Sequence, residues 1–267
     1  GEGTPILIVH GGPGLNHSYF LPQMAGLAKD HQLIFFDQRG VGRSSTDVDT
    51  ASMSMANAVE DIEQLRKAFD LGKMNLLGHS FGGLLAMEYA IAHPENLRSL
   101  TLVTTTAANS KLRMQAFWQM DGRTSKEDSI AKVRVMESEG FQRKEPAAMA
   151  EFFRHLFAPD FYDPKYRDSL TLWFNADYAK TSNLIRGLNR DIAKYDIHEA
   201  LKAVTCPTLI VQTDRDRNLP ESVELIHKSI ASSRVALIEH CGHFPYIEKP
   251  EEFFRIVSTF VNDPAAK

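Results

Sequence analysis

Short apolar runs bounded by turn residues recur along this chain and alternate with segments of helical period, and that alternation restricts the fold more than any single motif does. Residues 5–9, 32–36, 75–77, 99–103, 207–211 and 235–238 read as strands, several of them apolar enough to be buried on both faces. Between the second and third, Val59, Ile62, Leu65 and Phe69 recur at helical spacing, with Glu60 and Asp61 early and Lys67 late. A second helix runs through Leu84, Leu85, Met87, Tyr89 and Ala90 to a stop at His93-Pro94. Later helices are expected through Val223, Ile226 and Ile230, and from Pro250 to Val261. Such alternation requires right-handed crossovers, so the expected class is α/β, with a mostly parallel sheet flanked by helices. Ligands in such sheets bind at the carboxyl ends of the strands, where the glycine-rich turns of this chain would lie.

The alternation breaks after the fourth strand. Between 107 and 200 only helical signals occur, among them a T-x-x-E capping box at Thr124 and Glu127 and an Asp163-Pro164 start. The segment holds both tryptophans, Trp118 and Trp173, and many other rings. It is expected to form a helical cap (107–200) inserted into a core made of 1–106 and 201–267. The length of 267 residues is enough for one large domain with such an insertion.

Bulk charge narrows the function classes. Thirty Lys and Arg against 34 Asp and Glu give a net charge of −4, with no basic run for nucleic acid. No apolar stretch approaches the roughly 18 residues needed to cross a bilayer. Cys206 and Cys241 lack metal-ligand spacing, which fits free thiols in a cytoplasmic protein. The chain opens at Gly1, so an upstream targeting segment stays open. No metal or cofactor is expected, and the expected partner is a small molecule or short peptide.

The chemistry centres on Gly78-His79-Ser80-Phe81-Gly82, a serine between glycines after an apolar run and before a helix. This is the pattern of a nucleophile elbow, in which a strained strand-to-helix turn exposes the hydroxyl above the sheet edge. An elbow needs a base and an acid from later strand ends, in the order Ser, Asp, His. His243 follows the last strand and is favoured over His240, because Gly242 frees its backbone for the turn. Asp214 and Asp216 both follow the fifth strand, and Asp216 is preferred as lying further out on the loop. Oxyanion donors are expected from the amides of Phe81 and of Gly12, in the loop His10-Gly11-Gly12-Pro13-Gly14. His10 is read as bracing that loop, and Asp37 to Ser44 as a structural turn.

With these residues the chain resembles the α/β-hydrolase superfamily over nearly its whole length. The His10–Gly14 loop and Asp37-Gln38-Arg39-Gly40 resemble its proline iminopeptidase branch in particular. The resemblance implies a triad of Ser80, Asp216 and His243, an oxyanion donor at Gly12, and removal of an N-terminal residue from small peptides. It also implies cap glutamates that hold the substrate's ammonium, for which Glu137, Glu139, Glu145 and Glu151 are available. Candidate substrate contacts are Gly11, Trp118, Glu137 and Trp173. The branch usually carries a two-strand hairpin before the HGGPG strand, absent from this sequence, and the elbow residues His79 and Phe81 are equally common among esterases. The lead expectation is therefore a cofactor-free serine hydrolase of iminopeptidase type, with a carboxylesterase or lactonase as alternative. A receptor of the same fold with slow turnover is the alternative from another class. Ser80 argues against dehalogenases and epoxide hydrolases, which need an aspartate there.

Overall fold

The computed structural model describes residues 1–265, the Asp121 side chain excepted. Strands β1 (Thr4–Val9) and β2 (His31–Phe35) are followed by helix α1 (Met55–Ala68), then by β3 (Met74–His79), α2 (Phe81–Ala92) and β4 (Leu97–Val103). Strand β5 (Thr208–Thr213), a further helix at Pro220–Ser229 and strand β6 (Ser233–Ile238) complete the alternation. The six strands form one sheet in the order β2-β1-β3-β4-β5-β6, with every neighbouring pair parallel. Side chains alternate across it. Leu7, Val9, Leu76, Leu100 and Ile210 pack against α1 and α2 through Ile62, Leu85 and their neighbours. Ile6, Ile8, Leu77, Leu209 and Val211 pack on the other side with Phe253, Val257 and Phe260 of the final helix, Pro250–Asn262. Apolar residues on both faces are what a sheet covered by helices on each side demands.

Strand order reverses at β1, whose neighbours are β2 and β3. The turns after β1 and β3 therefore lie side by side at one end of the sheet, the position at which doubly wound sheets open a crevice. Between β4 and β5 the chain forms helices α3 (Ser110–Arg123), α4 (Lys126–Glu137), α5 (Glu139–Gln142), α6 (Pro146–Phe157) and α7 (Tyr178–Ala193). The two ends of this excursion meet: Asn109 and Asp196 form an antiparallel bridge, and the Ile197 amide donates to the Ala108 carbonyl at 2.9 Å.

Two local expectations are corrected. Helix α4 is capped by Ser125, whose hydroxyl accepts from the Asp128 amide at 2.9 Å, and not by Thr124 and Glu127. The Thr124 hydroxyl instead donates to the Met120 carbonyl at 3.1 Å at the end of α3, so the cap falls one residue later. Asp163 does cap a start, accepting from the Lys165 amide, but it opens only the 3-10 segment Pro164–Ser169.

Candidate active site

Ser80 stands between β3 and α2 with φ 57° and ψ −122°, a backbone conformation that costs a non-glycine residue of order 1–3 kcal/mol. Its surroundings enforce it. The Ser80 amide donates to the Val103 carbonyl at 3.0 Å, and its carbonyl accepts from the amides of Gly83 (2.9 Å) and Thr106 (3.0 Å). A methyl group on Gly82 would strike the Val9 and His10 carbonyl oxygens, and one on Gly78 would strike the Gly82 carbonyl. The turn can therefore be made only with glycine at both positions. Helix α2 begins at Phe81 directly after the serine, so its N-terminal amides point toward the space above Ser80.

The loop after β6 delivers His243 to the same place. The His243 amide donates to the Asp160 carbonyl at 2.7 Å, while its own carbonyl accepts from the Thr104 hydroxyl at 3.0 Å and from His79 Nε2 at 2.9 Å. The ring is 2% exposed, and its Nδ1 lies 2.6 Å from Oδ1 of the wholly buried Asp216 side chain. Because a carboxylate only accepts, Nδ1 carries the proton and Nε2 is left as the basic nitrogen. Asp216 is itself held by the Arg217 amide on Oδ1 (2.6 Å) and the Asn218 side-chain amide on Oδ2 (2.9 Å). Asp214, two residues earlier, is engaged elsewhere, accepting from the amides of His240 (2.9 Å) and Cys241 (3.0 Å). His240 points outward, with Nδ1 3.0 Å from the Tyr162 hydroxyl.

A buried hydrogen-bond chain ties the loop after β1 to the His243 loop. His79 Nε2 faces a carbonyl, so it must donate, and Nδ1 must then accept from the Tyr19 hydroxyl at 2.8 Å. That hydroxyl in turn accepts from the Gly11 amide at 2.6 Å. Burial, reinforced by the neighbouring His243, holds the His79 pKa well below the ordinary histidine value and keeps the ring neutral. His10 braces the same loop. Its Nδ1 is 2.8 Å from the Gly11 carbonyl and its Nε2 accepts from the Gln38 amide at 3.1 Å, and burial lowers its pKa to about 4. Asp37 accepts from the amides of His17 and Arg43, each at 2.8 Å, and so closes the turn from Asp37 to Ser44.

Ser80, His243, Gly11, Gly12 and Arg217 line one pocket. It encloses about 480 Å³ of empty space, counting its open mouth, and is walled by Phe117, Phe153, Leu156, Phe157 and Phe244. Gly12 has φ +135°, and Gly11 approaches Ser80 so closely that a Cβ there would sit 3.0 Å from the serine Cβ. Among the described residues no carboxylate lines this pocket; its one permanent charge is the Arg217 guanidinium.

Three expected substrate contacts are not in it. Trp118 is 68% exposed and lines an outer groove with Leu112 and Glu221, because the neighbouring Phe117 takes the pocket-facing side of α3. Glu137 lies on the outer face of α4 beside Ile130 and Arg134; Val135 is the residue that α4 turns inward. Trp173 is 43% exposed and stands 6.0 Å from the Arg43 guanidinium. Of the other cap glutamates, Glu139 and Glu145 pair with Arg143 at the surface and Glu151 is exposed. The pocket residues that the sequence does not single out are Tyr19, Arg217, Phe244 and, from the rings of 107–200, Phe117, Phe153 and Phe157. Arg217 alone had a local signal, a cation directly after the preferred acid at a strand end.

An open parallel sheet with a strained serine elbow and a buried histidine–aspartate pair at its carboxyl edge defines a class of hydrolase. The chain belongs to the α/β-hydrolase fold family, whose model matches residues 4–250. Among curated proteins it is similar to the proline iminopeptidase of Heyndrickxia coagulans, 29% identical over 98% of this chain and 92% of the relative. The proline iminopeptidase of Lactobacillus helveticus is 30% identical, over 98% and 90% respectively. Among solved structures, an esterase from Exiguobacterium antarcticum superposes with a TM-score of 0.70 at 22% identity, over 98% of this chain and 93% of that one. The protein is a serine hydrolase, like the proline iminopeptidases in overall sequence.

Proposed function

We propose that Ser80, His243 and Asp216 act as a catalytic triad that hydrolyses ester bonds of small, largely apolar acyl substrates through an acyl-enzyme. The carrying observation is the meeting of Ser80, His243 and the Gly11-Gly12 loop on one pocket, with Asp216 2.6 Å behind His243 Nδ1. Ser80 Oγ attacks the ester carbonyl as His243 Nε2 takes its proton, and Asp216 stabilises the imidazolium that forms. The amides of Phe81 and Gly12 receive the oxyanion; losing one such donor costs about 3 kcal/mol of transition-state stabilisation. His243 then returns the proton to the leaving alcohol, and water enters by the same route to release the acid. Residues 107–200 serve as the cap, with Phe117, Phe153 and Phe157 supplying an apolar wall, on a core of 1–106 and 201–267.

Ester substrates are preferred to N-terminal peptides because a free ammonium would find a guanidinium in this pocket and no carboxylate lining it among the described residues. The aminopeptidase reading is favoured instead by the full-length likeness to proline iminopeptidases and by the HGGPG loop. Steady-state hydrolysis of p-nitrophenyl butyrate and of proline p-nitroanilide, with Ser80→Ala as blank, separates the two. The proposal expects Ser80-dependent multiple turnover of the ester well above the anilide. Faster anilide cleavage would overturn the substrate class, and a single stoichiometric release without turnover would indicate a receptor.

A further inference from the structure

Among the described residues, Arg217 is the charged pocket residue that neither the triad, the Tyr19–His79 bridge nor the apolar wall uses. It follows the acid directly in sequence, yet its side chain leaves Asp216 and runs to Asp160. Nε donates to Asp160 Oδ1 at 2.9 Å and one terminal nitrogen, Nη2, to Oδ2. That two-point grip fixes the guanidinium plane, and Phe157 packs near it, with its ring centroid 5.5 Å from Cζ. The other terminal nitrogen, Nη1, has no hydrogen-bond partner among the described residues, while the side chain is 14% exposed and lines the pocket. Both nearby carboxylates are shielded: the Asp160 and Asp216 side chains are 0% exposed. A molecule in the pocket thus meets the donors of Arg217 and neither negative charge directly.

We infer that Arg217 is the specificity-determining residue of this pocket, a fixed donor that selects acyl chains carrying an acceptor oxygen, carboxylate or ketone, and rejects chains ending in ammonium. The inference rests on the proposed role of Ser80 only for the statement that the selected chain is the acyl part. Rigidity is what makes the preference sharp, since the guanidinium needs no reordering to donate. Its pairing with Asp160, whose main-chain carbonyl also receives the His243 amide, places donor and base on one connected support.

The test compares p-nitrophenyl esters of matched length: butyrate, the succinate monoester, levulinate and 4-aminobutyrate. Removing Arg217 alone would strand a buried carboxylate, so the informative variant is Asp160→Asn with Arg217→Met, accompanied by Arg217→Lys. The inference expects kcat/KM for the succinyl or levulinyl ester to exceed that for butyrate by about tenfold or more, and that for 4-aminobutyrate to fall below it, as a charge-assisted hydrogen bond allows. The ratios should collapse toward one in the double variant and be partly kept in Arg217→Lys. Preference for the succinyl ester alone would identify a carboxylate as the natural acceptor, and equal preference any oxygen. Unchanged ratios in the double variant would overturn the inference, whereas Ser80-dependent butyrate hydrolysis by the unaltered enzyme would still support the triad. If no ester is turned over, calorimetric titration of monomethyl succinate and methyl butyrate into Ser80→Ala decides the same point by binding: tighter succinate binding lost in the double variant supports it, and equal binding refutes it.

Discussion

Lowering the pH from 7 to 5 should destabilise this protein through histidines that are buried neutral. His10 Nε2 accepts from the Gln38 amide and His79 Nδ1 from the Tyr19 hydroxyl, so a second proton on either ring would face a donor. Burial moves His10 from 6.5 down to about 4 and moves His79 in the same direction. The sign follows from proton counting. Below 6.5 the unfolded chain binds these protons and the folded chain does not, so stability falls as pH falls, for His10 down to about 4. At pH 5 His10 alone forfeits about 2 kcal/mol, a sizeable share of the about 5–15 kcal/mol of an ordinary domain, and His79 adds to the loss in the same direction. Exposed His198, raised by its contact with Asp196, acts in the opposite sense, but solvent screens that pair. Urea denaturation at pH 7, 6 and 5 reads the effect directly, and His10→Asn should remove the His10 share, about 2 kcal/mol between pH 7 and 5. Stability that is flat or rises toward pH 5 would refute the assignment of both rings as neutral.

Asp216→Asn should lower kcat by about four orders of magnitude by spoiling the His243 tautomer, whereas Asp214→Asn should act on stability by loosening the His240–Cys241 turn; comparable rate losses would sink the assignment of the acid. Tyr19→Phe orphans the Gly11 amide and His79 Nδ1 together, so it should cost about 1–3 kcal/mol for each in a thermal melt and lower kcat more than it raises KM, and an unchanged melt would contradict the bridge. Glu63, 4% exposed, takes hydrogen bonds from Arg66, Tyr89 and Asn96, and Arg66, Tyr89 and Lys67 hold its pKa far below the ordinary carboxylate value. Glu63→Ala should therefore cost about 3–5 kcal/mol at neutral pH with activity per folded molecule preserved. That cost should shrink as the pH falls below the ordinary 4.5, where the unfolded chain takes up a proton that native Glu63 does not.

The parts of the fold legible in the sequence are those written in local pattern. Each strand is a short apolar run because both sheet faces are covered, and the elbow is readable because Gly78 and Gly82 have no room for a methyl group. The meeting of the Ser80 turn with the Gly11-Gly12 loop follows from a strand order that reverses at β1, which alternation alone implies only in outline. In the sequence only loop distance separates Asp216 from Asp214; the structure supplies the physical difference, since two turn amides occupy Asp214 and His243 occupies Asp216. The segment 107–200 is legible as helices and opaque as a surface. Trp118 and Phe117 are adjacent and equally apolar, and only the docking of α3 decides that the phenylalanine faces the pocket. Arg217 is legible only as a cation beside the preferred acid; its aim is set by Asp160, far away in sequence.

The account stands on Ser80 as the nucleophile that carries the acyl group. Mixing the enzyme with excess p-nitrophenyl butyrate, quenching in acid within the first turnovers and mapping peptides by mass spectrometry looks for that intermediate itself. The account predicts a butyryl group on Ser80, substoichiometric at steady state and absent from Ser80→Ala. Turnover with no acyl group on Ser80, or with the label on another residue, would contradict it.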